Sequence, residues 1–265
     1  WVIMGATSFV LLVPIAFVMY RQPEDIGLLP DGETPEEAAR ARAARASAGV
    51  REEYSFSVKE VIRMPTVWLL VAATVVVGPT PQGLTSSWVP HFRDIGIGAA
   101  AATTALSIYG LFSLLSRFVW GHFVDRYHVR RVLIVQMLMT SLAVLILIQV
   151  ATPLQAMAYS AYQGFVLGGY IGMSPLLYPT YFGRRHVGAI QGTLTPLVSI
   201  SSAGGPFLIA TVFDLTGSYR DAYWVIMFTW LAAAALMYLA RPPKPPAESE
   251  PEREPGTGVP VPAKA

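Results

Sequence analysis

Long stretches of this chain carry no charge at all. Trp1–Tyr20, Met64–Phe92, Ile95–Ser116, Val132–Gly183, Val187–Phe213 and Ala222–Ala240 contain no Asp, Glu, Lys or Arg. Within them the apolar residues follow neither a period-two alternation nor a one-sided helical stripe, so no polar face is left for water. A helix needs about 20 mainly apolar residues to cross a bilayer, and each stretch is long enough. Val132–Gly183, at 52 residues, accommodates two crossings with a break at Ala151-Thr152-Pro153. The pattern therefore predicts an all-α membrane protein with seven transmembrane helices. Val132–Val150 alone holds 12 Val, Leu and Ile residues, more than enough to offset Gln136 and Gln149 on an insertion scale.

Composition sharpens this reading. Charged residues make up 14% of the 265-residue chain, against about 25% in soluble domains. The chain has no cysteine, which excludes disulfides and thiolate metal sites. His91, His122, His128 and His186 are widely spaced, so neither a metal nor a cofactor is expected, and nothing calls for nucleic acid. The expected partners are a small-molecule substrate and the lipid bilayer.

The basic residues orient the helices. Sixteen of the 19 Lys and Arg fall in residues 21–63, 121–131, 182–187 and the tail after 240, while the alternate connections hold Arg93 and Arg220. The positive-inside rule places the first set in the cytoplasm, together with the C-terminus. The chain begins without Met inside an apolar stretch, so further helices, a missing N-terminal half, are expected upstream. Thr34-Pro35-Glu36-Glu37 has the form of a helix start, opening a short cytoplasmic helix to Arg51 or a solvated linker. Residues 242–265 are rich in Pro, Glu and Lys and are expected to be disordered.

After the third predicted helix the chain reads Gly121-His122-Phe123-Val124-Asp125-Arg126-Tyr127-His128-Val129-Arg130-Arg131. This resembles the G-x-x-x-D-R-x-G-R-[RK] loop of the major facilitator superfamily, matching at Gly121, Asp125, Arg126 and Arg130, with His128 in place of the second glycine. Residues 23–32, Gly188-Ala189-Ile190-Gln191-Gly192, Gly204-Gly205-Pro206 and residues 214–219 are similar to segments of its bacterial monocarboxylate and oxalate/formate type members. The resemblance covers residues 1–241. It implies that 1–20 is the sixth helix of a twelve-helix fold and that 21–63 is the central cytoplasmic loop. Residues 64–241 are then the C-terminal six-helix bundle, followed by a cytoplasmic tail. It further implies a secondary transporter in a bacterial plasma membrane, moving a small solute such as a monocarboxylate or other organic anion by alternating access. The alternative within the fold is a sensor or scaffold that does not transport.

Other seven-helix readings fit less well. A G-protein-coupled receptor would need an outer disulfide and an Asn-Pro-x-x-Tyr in its last helix, and a microbial rhodopsin would need a lysine there. Ala222–Ala240 has none of these. No crossing carries a Ser/His/Asp set or a paired carboxylate, so an enzyme is not expected.

Candidate site residues follow from interrupted helices, which build transporter sites. By the resemblance, the seventh and tenth helices line the cavity. The former contains Gly78-Pro79-Thr80-Pro81-Gln82-Gly83, the latter Gly164, Gly168, Gly169, Gly172 and Pro175. Gln82, Ser86, Tyr162, Gln163 and Tyr170 are the polar candidates, while Gly164 and Gly168 are read as close-packing positions. Arg117 is the one strong charge inside an expected crossing and is a functional candidate by default. Arg117-x-x-x-Gly121 resembles the eighth helix of monocarboxylate and oxalate/formate carriers, where the arginine binds the substrate carboxylate. Its competing role is to extend its stem to the interface. Gly121, Asp125, Arg126 and Arg130 form a candidate gating loop.

In this cysteine-free chain, single cysteines at Ser55 and Ser218 are expected to react with an impermeant maleimide from opposite sides of the membrane. Reaction of both from outside intact cells would contradict the topology.

Overall fold

The structure is a computed structural model that describes residues 2–18, 40 and 54–243. The chain divides into two units, Trp1–Glu53 and Tyr54–Ala265. In the first, α1 (Val2–Val18) is an apolar helix of 17 residues with Pro14 inside it. Its described side chains from Met4 to Pro14 are exposed except half-buried Val13, as suits a helix with no polar face. Of the helix expected over Thr34–Arg51, Arg40 is helical; the remainder lies outside the described residues, as does the tail from 244.

The second unit is a helical bundle. Its elements are α2 (Val58–Arg63), α3 (Pro65–Val77), α4 (Pro79–Asp94), α5 (Ala99–Arg126), α6 (Val129–Leu147), α7 (Pro153–Met173), α8 (Leu177–Phe182), α9 (Val187–Thr216) and α10 (Tyr219–Leu239). Boundaries follow local chemistry. Ser57 and Glu60 form a capping box that starts α2, and hydrogen bonds from Ser57 hold the Glu60 carboxyl below its usual range. Thr152 and Gln155 do the same for α7, with Pro153 at its first position, which realises the expected break. Gly217, at φ 70°, ends α9 in the left-handed conformation, and Ser218 caps α10.

α3 and α4 together make one thirty-residue crossing, bent at Gly78. Pro79 has no N–H, so the Val75 carbonyl loses its regular helical donor. The Gly78 N–H takes its place in a tighter turn, donating to the Val75 carbonyl at 3.2 Å. Ser201 of α9 adds a second donor, its hydroxyl lying 2.5 Å from the Val75 oxygen. The helices close together here because Gly205 has no side chain: a Cβ at that position would stand 2.0 Å from the Pro79 carbonyl oxygen.

The second close approach lies between α5 and α7. A Cβ on Gly164 would sit 2.4 Å from the Tyr109 carbonyl oxygen, one on Gly168 2.4 Å from that of Ser113, and one on Gly169 2.3 Å from the Trp120 ring. These glycines form a small-residue seam at helical spacing. α6 and α10 pack on each other, α10 also covers α3, and α9 lies along α4.

Among the described residues five helices are long and apolar enough to span: residues 65–94, 99–126, 129–147, 187–216 and 219–239. The expected count of seven also included α1 and α7. α1 is at the short limit for a span. α7 carries Gln155, Ser160, Gln163, three tyrosines and four glycines, which lowers its apolarity. Most of its middle is buried against neighbouring helices, so it answers to their surfaces rather than to lipid. The resemblance implies breaks at matching places in the seventh and tenth helices of the twelve-helix fold. The breaks instead fall 13 residues into the first crossing and 21 residues after Pro153, in the 3-10 turn Ser174–Leu176. The glycines at matching depth in α7 pack without interrupting it.

Gly168→Ala places a methyl against backbone that cannot swing away and is expected to cost about 1–3 kcal/mol. Gly110→Ala, on the open side of α5 with nothing within 4 Å, should be neutral or stabilising. Thermal unfolding in detergent compares them; equal losses would refute the seam.

Candidate substrate-binding site

The interior between α4, α5 and α7 is unusually polar for a membrane bundle. Trp88 of α4 meets the edges of Tyr109 and Tyr159, with ring centroids 4.9 and 5.5 Å away. Tyr159, Ser160 and Gln163 occupy one face of α7, three and four residues apart. All three, with Trp88, are buried. The Ser160 hydroxyl and both polar atoms of Gln163 have no hydrogen-bond partner among the described residues. Ser87 is better served: its oxygen lies 3.2 Å from the Tyr223 hydroxyl. Buried polar atoms normally pair, so this stripe has unused donors and acceptors for a solute or water.

The sequence-predicted residues fall into four places. Gln163 belongs to this stripe. Gln82 and Ser86 lie four residues apart on the exposed face of α4. Tyr162 and Tyr170 face the other side of α7. Tyr162 donates to the Met139 carbonyl of α6 at 3.3 Å, and the Tyr170 ring meets Trp230 of α10 edge-on at 5.3 Å. Arg117 is exposed on α5 beside the glycine seam, and its stem runs past Gly172, where a Cβ would stand at ordinary contact distance, 3.7 Å from the Arg117 Cγ. Among the described residues Arg117 has no hydrogen bond or carboxylate partner, and no hydrogen bond or ring contact joins any two of these six residues. Sequence reasoning missed Trp88, Tyr159 and Ser160, because aromatic and hydroxyl residues in a buried helix show no periodic signal.

The expected gating loop is mostly helix. α5 runs on through Gly121, Asp125 and Arg126, and only Tyr127 and His128 separate it from α6. No proline stands between Arg117 and Arg126, and charged side chains are ordinary helix formers, so the end of the apolar stretch did not end the helix. Arg130, in the first turn of α6, reaches α10. Its Nε donates to the Met237 carbonyl at 3.1 Å, its Nη2 donates to the Tyr238 carbonyl, and its guanidinium lies 5.7 Å from the Tyr238 ring centroid. It thereby satisfies carbonyls that the last turn of a helix leaves open. Asp125 and Arg126 are exposed without partners among the described residues. Nor do any three His, Asp or Glu side chains gather there as a metal site would require.

Comparison with known proteins adds to the geometry. The profile of the Major Facilitator Superfamily matches residues 81–264. Among curated proteins, Monocarboxylate transporter 12-B of Danio rerio is 21% identical over 154 residues, covering 57% of this chain. The matched stretch is 32% of that protein's length, so the chain spans about a third of the relative.

Arg130→Ala should lower stability by about 1–2 kcal/mol, the cost of unpaired carbonyls. Asp125→Asn should stay within about 0.5 kcal/mol of wild type. Thermal unfolding reads both, and a larger loss for Asp125→Asn would reverse the assignment.

Proposed function

The chain belongs to the Major Facilitator Superfamily, and on that premise we propose that it forms the C-terminal bundle of a secondary transporter for a small organic anion, a monocarboxylate first, working by alternating access. The observation that carries the reading is Arg117. It is a guanidinium at the nineteenth position of a 28-residue spanning helix, with no carboxylate to neutralise it among the described residues. A charge so placed is costly unless it serves a ligand or reaches the interface, and its planar donors match a carboxylate in bidentate fashion. The relative's name supports the substrate class.

In this reading Arg117 holds the carboxylate. Gln82 and Ser86 on the open face of α4 line the approach, and Gln163, with Tyr159 and Ser160 behind it, offers polar atoms deeper in the bundle. Tyr162 and Tyr170 act through packing. An N-terminal six-helix half, of the kind the twelve-helix fold implies, closes the cavity over the exposed faces of α5 and α9. The Lys/Arg asymmetry supports a cytoplasmic Asp125–Arg131 segment and C-terminus, in this reading at a bacterial plasma membrane, with Asp125 stabilising one access state by a charge-assisted contact. Asp94, Asp125, Asp214 and Asp221 all lie in end turns of their helices. A proton relay through the middle of this bundle therefore has no carboxylate to use.

Arg117→Lys keeps the charge and removes the fork. Uptake of labelled carboxylates by the full-length protein in proteoliposomes should show KM raised about ten-fold or more, the loss of a charged hydrogen bond. Wild-type affinity of the Lys variant for every carboxylate would assign Arg117 to the interface instead.

A further inference from the structure

We propose that the groove between α5 and α6 binds a phospholipid with an anionic headgroup, its acyl chain lying in the groove and its phosphate on Arg131. α5 and α6 are consecutive helices joined by two residues, yet they barely touch, because α5 packs on α7 while α6 packs on α10 and α7. The gap is a groove of about 510 Å³. Its floor is Trp120 and Phe165, locked together by the Trp120 Nε1–H donating to the Phe165 carbonyl at 2.9 Å. That bond takes up the polar atom of the floor. Phe123, Val135 and Met139 line the walls, so the surface offered is hydrocarbon.

The groove opens on the outside of a membrane-spanning bundle, where a space of this size and character fills with an acyl chain rather than water. Its mouth is of a different kind. Tyr127 and Arg131 both line it, at the helix ends where aromatic and basic side chains meet headgroups. Arg131 is exposed and has no partner among the described residues, whereas its neighbour Arg130 is occupied by the carbonyls of α10. Arg126 adds a second cation to this turn against the single carboxylate of Asp125. The balance favours an anion, and a guanidinium takes a phosphate through paired hydrogen bonds.

Tryptophan quenching by dibrominated phospholipids tests this on the purified full-length protein in detergent, because Trp120 forms the floor. Dibrominated phosphatidylglycerol should quench at about five-fold lower concentration than dibrominated phosphatidylcholine, the worth of one arginine at a charged surface. Arg131→Gln should abolish that preference and Arg131→Lys should keep most of it. Val135→Trp, at an exposed position on the wall, should increase the specific quenching, and this locates the chain without disturbing Trp120. Equal quenching by both lipids, a preference that survives Arg131→Gln, or no added quenching in Val135→Trp would each overturn the assignment.

Discussion

The bundle is organised around the contact of the α7 backbone with α5. Gly164, Gly168 and Gly169 bring two helices so near that an added methyl would meet carbonyl oxygens or the Trp120 ring at 2.3–2.4 Å. Lipid offers helices no hydrophobic drive to associate, so packing and internal hydrogen bonding must supply it. The same constraint governs the other tight crossing, where the Ser201 hydroxyl of α9 bonds the Val75 carbonyl beside the Gly78–Pro79 break. Both crossings use glycine to let backbones meet. Both also leave the wide outer faces of α5 and α9 covered with exposed apolar side chains such as Leu111, Phe118, Ile200 and Phe207.

From that contact follows the division of α7 into two working faces. One meets α6 and α10 through Tyr162 and Tyr170. The other presents Tyr159, Ser160 and Gln163 toward Trp88 of α4 with polar atoms to spare. A helix held in the centre of a bundle can carry such groups, since it is not dissolved in lipid. Arg117 stands at the edge of the same seam, its stem beside Gly172. Site and scaffold thus share residues: the glycines that close the seam also decide which α7 side chains meet the interior.

Much of the architecture was legible in the charge-free stretches, because a bilayer imposes length and apolarity directly on sequence. The break at Thr152-Pro153 and the turn at Gly217-Ser218 were legible for a local reason, cap and turn chemistry. The extension of α5 through Arg126 was not, since the end of an apolar run marks the edge of the lipid and not of the helix. The faces of Tyr162 and Tyr170 were hidden too: a buried helix has no polar–apolar asymmetry from which to read orientation. Arg130 pairs with carbonyls over a hundred residues away, a tertiary fact that no spacing rule reveals. Arg117 stood out because a lone charge in an apolar helix is visible in one dimension.

On the proposed function, a full-length protein containing this bundle carries a small organic anion across the membrane. Counterflow into proteoliposomes tests it most directly: vesicles holding the full-length protein are loaded with unlabelled monocarboxylate and exposed to a trace of the labelled form. A carrier working by alternating access exchanges the two, so label should accumulate transiently above its outside concentration and then decay. Failure of correctly folded protein to accumulate any labelled carboxylate would contradict the account and favour a sensor or scaffold of the same fold.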